Sequence, residues 1–396
     1  MNSMDKPKRL LFLISRFLDG GIDTVLTEYL KALSNEKNVQ VTLAIGICMG
    51  DLEVYRNRLP DTVEIKYLIR APWLTHWKRQ KIKKSLSPVL KVLDELLFTP
   101  VRRLIIRKKL HALASHYDAV IDFDCCFYAY MKGLLLPRKV TFFHFSIAQL
   151  IKQNPRRMRR IEKCLTYYDK VIFISQGMYE EAKSLFPPAL SSKFRVIYNA
   201  IDVQGIQQKA LLLSEDKRMQ TPYILAVERL EESQKDIKTL LKAYQLLRTR
   251  YGRTEKLYLI GKGNSQAMLE EKARELGIDA DVCFLGFMPN PYHWIKKCAL
   301  LMHSAKFEGL PTILIESLAL HKLIVATNCP TGPQEILDGG KAGILVPVGD
   351  AEQMAEAANS ALTDTTLQQK LYAGAARQIE RFTFKHTLEQ FYKLLN

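Results

Sequence analysis

The chain has 396 residues, 47% of them hydrophobic and 25% charged, with 19 Gly and 16 Pro. Those proportions exclude disorder, collagen-like repeats and coiled coil, and the length suits two domains with separate cores. The charge is lopsided: residues 1–200 carry 34 Lys and Arg against 18 Asp and Glu, whereas residues 201–396 carry 24 against 23.

Lys6, Lys8 and Arg9 precede an apolar run, as in a secretory signal, but the run ends at Ile14 before Arg16. A signal core needs ~7–15 apolar residues, so 10–15 is predicted to be a buried first strand. Continuous apolar runs predict further strands at 39–45, 119–123, 140–144, 171–174, 195–198, 223–227, 256–260, 282–285, 300–303, 323–326 and 343–346. Amphipathic patterns predict helices at 24–33, 178–185, 237–248, 265–276, 312–320 and 351–362. This βαβα rhythm predicts an α/β fold of two Rossmann-like, doubly wound domains. A polar stretch interrupts it, so the reading is an N-terminal domain at 1–203, a linker at 204–221, a second domain at 222–380 and a C-terminal helix at 381–396.

The longest stretch free of Asp, Glu, Lys and Arg is 282–295, 14 residues including two Pro. A membrane span needs ~20 apolar residues. The seven cysteines form no CxxC pair, which points to reduced thiols and a cytosolic chain rather than a disulfide framework or zinc site.

Three segments have the makings of an anion site. Asp19-Gly20-Gly21 follows the first strand and precedes a helix, where free amides favour phosphate; a plain strand–helix turn is the alternative. Arg229 and Lys235, the latter read as opening a helix, follow the strand 223–227, where doubly wound sheets bind ligands. A diphosphate would suit that pair, and a solvated loop is the alternative. Glu308-Gly309-Leu310-Pro311-Thr312-Ile313 opens a helix whose amides could hold phosphate oxygens. Glu316 lies one turn inside it among apolar neighbours, where a buried carboxylate calls for a polar partner. Asp122 and Asp124 form a DxD that reads as strand-end capping or acceptor contact before metal binding. His76, His111 and His116 read as surface or packing residues.

The spacing Glu308-x7-Glu316 around Gly309-Leu310-Pro311 resembles the signature of the family 4 glycosyltransferases, retaining enzymes of the GT-B fold. Gly20-Gly21, the strand ending in His144, Ser175-x-x-Met178, Asn199-Ala-Ile-Asp202 and Arg229-Leu230…Lys235 resemble that family's further motifs in order, over residues 10–375. The resemblance implies two domains facing a cleft, with the C-terminal helix crossing back to the first. It implies a catalytic set of Glu308, His144, Lys235 and Arg229. Arg229 and Lys235 would neutralise the diphosphate of a nucleotide sugar, and Glu316 would bind ribose. Glu308 and the Gly309–Ile313 backbone, with Leu310, Pro311 and Thr312, would hold sugar and phosphate. Gly20, Gly21 and His144 would meet the donor from the first domain, and the turn at 284–289 with Phe287 would read the base. The chain departs from the pattern at Glu228, where the family usually has Gly, and at Asp236 and Lys262. No cofactor and no essential metal are implied, the nucleotide sugar being a co-substrate, with UDP preferred as the carrier.

Residues 70–109 hold 12 Lys and Arg against Asp94 and Glu95, with Trp73, Trp77 and Phe98 interleaved. Apolar residues recur there at helical spacing through 116. Basic amphipathic helices suit an anionic membrane surface, and a solvated helix face is the alternative. A second cluster, Lys152 with Arg156, Arg157, Arg159 and Arg160, follows His144. No RNP, zinc-finger or helix-turn-helix pattern accompanies these charges, so nucleic acid is not an expected partner. The expected function is hexose or N-acetylhexosamine transfer to an anionic lipid-linked glycan on the inner face of the cytoplasmic membrane. Lipopolysaccharide core is the preferred acceptor, and capsule, O-antigen or another lipid-linked oligosaccharide the alternative. A silent nucleotide-binding protein is the alternative outside the enzyme class, with a nucleic-acid-binding protein more distant still. Oligomeric state is not legible.

Overall fold

The computed structural model describes residues 7–18, 20–134, 138–212 and 216–395, apart from the Gln153 side chain. Asp19 of the glycine turn, residues 213–215 of the proposed linker and Asn396 of the last helix lie outside them. The chain divides into two compact units, Met1–Ile174 with Tyr179–Ala200 and Thr387–Asn396, and Ser175–Met178 with Ile201–His386.

The first unit is built on a parallel sheet of seven strands: β1 (Lys8–Ile14), β2 (Val39–Ile47), β3 (Glu64–Ile69), β4 (Ala119–Asp122), β5 (Lys139–Phe143), β6 (Lys170–Phe173) and β7 (Phe194–Val196). Their order is β3-β2-β1-β4-β5-β6-β7. Leu10 to Leu13 are fully buried, as helices on both faces require. The sequence pattern missed β3 because it is an edge strand whose Glu64 and Lys66 break the apolar run.

The second unit carries six parallel strands: β8 (Tyr223–Val227), β9 (Lys256–Ile260), β10 (Val282–Gly286), β11 (Leu300–His303), β12 (Ile324–Thr327) and β13 (Ile344–Val346). Their order is β10-β9-β8-β11-β12-β13. The segment 204–221 is not a bare linker. It holds the helix Val203–Ala210, capped by Asp202, with Ile206 and Ala210 buried and Gln207 Nε2 donating to the Ala319 carbonyl at 3.0 Å. Its polar outer face produced the linker reading.

The last helix, Phe384–Leu395, packs on the first unit as expected. Phe391 is fully buried there with its ring 6.2 Å from those of Phe12 and Tyr29 and 6.4 Å from Phe142.

The basic region folds as helix Pro72–Ile82 and an almost unbroken helix over 88–114. The latter widens to a π-turn at Asp94–Phe98. Pro100 explains the widening, since it has no N–H to donate to the Leu96 carbonyl and its ring crowds that group. Asp94 is buried and pairs with Arg102 and, at 2.9 Å, with Lys78. Burial works to raise the Asp94 carboxyl, and the two cations hold it below the usual carboxylate range. Glu95 takes Lys78 and Lys81 at 3.3 Å. Both acids of the region are thus engaged internally. Its outer face exposes Trp73, Val89, Val92, Leu96, Leu97 and Leu104 beside Arg103, Arg107, Lys108 and Lys109. Among the described residues, no helix is long and apolar enough to cross a membrane.

Candidate functional site

In the second sheet, chain order runs from β8 outward to β9 on one side and returns to β11 on the other. The crevice above the carboxyl ends of β8 and β11 is where such sheets bind ligands. Two loops converge there. β8 runs into Glu228, exposed Arg229 and fully buried Leu230. A Cβ on Gly261 would meet the Glu228 carbonyl oxygen at 1.9 Å, so the neighbouring strand's loop can approach only as glycine, with φ +150°.

Lys235 does not open the long helix as read from sequence. It ends a short turn, Glu232–Lys235, and Asp236 at φ +48° breaks the backbone before helix Ile237–Thr249. That break turns the Lys235 side chain inward. After β11, Glu308 is fixed by its own N–H donating to the Pro330 carbonyl at 2.8 Å and by its carbonyl accepting from Thr331 at 3.1 Å. Gly332, at φ +96°, permits this close approach, since a Cβ there would lie 2.8 Å from the Gly309 carbonyl.

Lys235 Nζ and Glu308 Oε1 form a buried ion pair. Gln234 Nε2 donates to Glu308 Oε2 at 3.4 Å and its Oε1 accepts from Arg229 at 2.9 Å, linking the two cations. Burial works to raise the Glu308 carboxyl, but the Lys235 charge and the His303 contact bring it down to about 2. His303 is the residue that the sequence reading missed. Its Nε2 lies 3.3 Å from Glu308 Oε1 and its Nδ1 3.4 Å from Glu228 Oε2. The available signal was a titratable residue at the end of a strand, five residues before Glu308.

Helix Thr312–Ala319 starts at Pro311 and leaves Thr312, Ile313 and Glu316 half-buried along one face. Glu316 is thus half-buried rather than enclosed; Ser317 beside it is the fully buried polar residue, and it donates to the Ile313 carbonyl at 2.7 Å. Gly309 is half-buried and Leu310 buried. Phe287, just past β10, is 45% exposed with Lys262 Nζ 4.8 Å from its ring centre.

Gly20, Gly21 and His144 belong to the first unit, whose own switch point lies between β1 and β4. Gly20 caps helix Gly21–Ser34 and donates its N–H to Asp23 at 2.9 Å. A cavity of about 260 Å³ opens nearby, lined by His144, Asp124, Tyr128, Phe145, Arg157 and Arg160 among others. His144 Nε2 lies 2.8 Å from the Phe123 carbonyl, which can only accept, so Nε2 carries the hydrogen. Burial pushes this imidazole down to about 4, and the neutral ring keeps Nδ1 as an acceptor. Arg157 and Arg160 are exposed one helical turn apart, and Arg160 donates to the Tyr128 hydroxyl at 2.5 Å.

Asp122 and Asp124 act as caps. Asp122 accepts from the Phe127 amide at 2.8 Å and from the buried Tyr168 hydroxyl, and Asp124 accepts from the Ser15 amide at 2.9 Å and the Cys126 amide at 3.3 Å. Burial raises both carboxyls. No metal-ligand cluster occurs among the described residues.

Two family models match, "Glycosyltransferase Family 4" over residues 19–204 and "Glycosyl transferases group 1" over residues 209–378. A Campylobacter jejuni N-acetylgalactosamine-N,N'-diacetylbacillosaminyl-diphospho-undecaprenol 4-alpha-N-acetylgalactosaminyltransferase is 33% identical over 53% of this chain. The match spans 54% of that relative, about half its length. A Salmonella typhimurium lipopolysaccharide 1,6-galactosyltransferase is 27% identical over 66% of this chain and 69% of its own. The crystal structure of Anabaena HepE with UDP superposes at a TM-score of 0.75, with 17% identity over 98% of this chain and 99% of that one. That likeness shows a shared fold.

Proposed function

The chain belongs to the family 4 glycosyltransferases, and from that premise we propose that it moves a sugar from a nucleotide sugar to a lipid-linked glycan. The observation that carries the reading is the buried Lys235–Glu308 pair at the switch point, tied through Gln234 to exposed Arg229. Arg229 offers a planar fork to a diphosphate, and Lys235 has ammonium protons beyond the one that Glu308 takes. The free amides of helix Thr312–Ala319 add partial positive charge beside them. Together these groups stabilise the leaving diphosphate as the bond from the sugar's C1 to its oxygen breaks. Glu308 orients the sugar and Glu316 grips the ribose.

Transfer proceeds with retention: the acceptor oxygen bonds C1 on the face that the diphosphate leaves, and the acceptor's proton passes to the leaving phosphate. No essential metal takes part in this reading. A uridine carrier is favoured because HepE, of like fold, holds UDP. The acceptor class follows from the relatives, one named for a diphospho-undecaprenol substrate and the other for lipopolysaccharide. Lipopolysaccharide core is the first choice, and an undecaprenyl-diphosphate oligosaccharide the second. The first unit would present the acceptor, with Arg157 and Arg160 meeting its anionic groups, and the exposed apolar and basic face of residues 72–109 would rest on the inner face of the cytoplasmic membrane.

A thermal-shift panel of nucleoside diphosphates and nucleotide sugars tests the donor site. A bound ligand raises stability with concentration, by about 2.7 kcal/mol at 100 times its Kd. A uridine compound should give the largest shift, and a panel without any shift would remove the donor site from the second unit.

A further inference from the structure

Glu228 is a carboxylic acid where the family pattern has glycine, and its side chain is only 1% exposed. Among the described residues, neither of its oxygens has an aligned hydrogen-bond partner, and neither does His303 Nε2. An unpaired buried polar group forfeits its hydration without compensation, so such groups call for an explanation. Their nearest partners are one another and Glu308, at 3.4 Å and 3.3 Å through the imidazole.

Only some proton placements give every atom a complementary neighbour. A His303 with its hydrogen on Nδ1 alone would turn a lone pair toward the Glu308 carboxylate, setting acceptor against acceptor. A protonated Glu228 beside a neutral His303 with its hydrogen on Nε2 gives a directional chain: Glu228 O–H to His303 Nδ1 and His303 Nε2–H to Glu308, whose carboxylate also accepts from Lys235 Nζ. The same proton count could be written as a Glu228 carboxylate beside an imidazolium, but burial penalises both of those charges. Desolvation indeed raises Glu228 well above the usual carboxylate range and lowers His303.

We propose that Glu228 and His303 are positioning residues that hold one proton between them and aim the Glu308 carboxylate through His303 Nε2–H. The inference deepens the proposed function and rests on it for its kinetic readout. Losing that proton adds a second negative charge beside Glu308, beneath the place of the donor diphosphate. The charged and titratable neighbours are Lys235, Glu232 and Asp236 from the turn after β8 and Glu308 from the loop after β11. Cys329 after β12 feels Glu308 and Lys235, and burial pushes its thiol up to about 12, so it stays neutral. Turnover of the nucleotide sugar should therefore fall on the alkaline side.

Nitrogen-15 NMR of histidine-labelled full-length protein without ligand, with the His303 signal assigned from His303→Gln, reads the proton directly. The expected result is a neutral Nε2–H imidazole from pH 5 to 8; an imidazolium or an Nδ1–H ring would overturn the proposal. In the transfer assay, Glu228→Gln keeps a donor to Nδ1 that cannot ionise. It should lose the alkaline fall and retain about tenfold more kcat than Glu228→Ala at unchanged KM. An alkaline fall in Glu228→Gln identical to wild type, or equal kcat for the two folded variants, would also overturn it. Melting curves of the free proteins separate misfolding from mispositioning. A wild type that consumes no nucleotide sugar would defeat the functional reading while leaving the NMR result to decide the proton's place.

Discussion

Lys235 and Glu308 reach each other across the switch point of the second sheet, one from the loop after β8 and the other from the loop after β11, and meet as a buried ion pair. Their side chains are 11% and 9% exposed. A buried pair is weak evidence of stability for its own sake, because desolvation of two charges offsets their attraction. Its placement, with exposed Arg229 beside it, is what the proposed donor site would require of a doubly charged leaving group.

Removing either partner strands the other charge in the interior. Lys235→Ala and Glu308→Ala should each destabilise the protein by about 3–5 kcal/mol and lower turnover by about 100-fold or more. Denaturant unfolding and steady-state kinetics on the same preparations check both effects. Near-wild-type kcat in either variant would remove that residue from the reacting groups.

His144 makes the first unit sensitive to acid. Its folded value is about 4 against an ordinary 6.5, so between those pH values the unfolded chain binds a proton that the folded chain does not. Stability from this residue is complete above about pH 6.5 and falls as pH drops to about 4, by about 3 kcal/mol in all. Unfolding of wild type and His144→Gln at pH 7 and pH 4 should show that difference converging. Parallel pH dependences would mean that His144 titrates normally.

The capping role of Asp124 predicts a stability effect without metal dependence. Asp124→Ala leaves the Ser15 amide and hydroxyl without their acceptor, while the Cys126 amide keeps Asp122 Oδ1 at 3.2 Å, at a cost of about 1–3 kcal/mol. Neither chelator nor added Mg²⁺ or Mn²⁺ should move the melting temperature. A metal-induced shift in wild type that Asp124→Ala abolishes would restore the metal reading.

The helix over 88–114 predicts charge-dependent membrane binding. Vesicles with anionic lipid should sediment the protein at low salt and neutral vesicles should not, each nearby Lys or Arg contributing ~1 kcal/mol. Leu96→Glu with Leu97→Glu, both at exposed positions, should abolish binding without lowering the melting temperature. Equal binding to neutral and anionic vesicles would contradict the docking surface.

The sheets were legible because strands covered on both faces need continuous apolar runs, and Tyr223–Val227 and Lys256–Ile260 follow that pattern to the residue. β3 was hidden by the charges that protect a sheet edge, and the helix Val203–Ala210 by its polar outer face. The site was legible where it rests on short motifs such as Glu308-Gly309-Leu310-Pro311. Backbone turning was not. Asp236 at φ +48° carries Lys235 inward, a conformation that glycine usually supplies and that no periodicity reveals. His303 escaped notice because its role depends on Glu228, 75 residues earlier, and only the pairing of β8 with β11 brings the two together.

Sugar transfer by the purified 396-residue chain is the activity on which the other expectations rest. Each nucleotide sugar is incubated with truncated lipopolysaccharide or an undecaprenyl-diphosphate-linked N-acetylhexosamine, and nucleoside diphosphate release and product anomeric configuration are followed by NMR. One donor should be consumed in step with formation of an α-linked product from an α-linked donor, and Glu308→Ala should abolish it. A β-linked product, or release that Glu308→Ala leaves unchanged, would contradict the account.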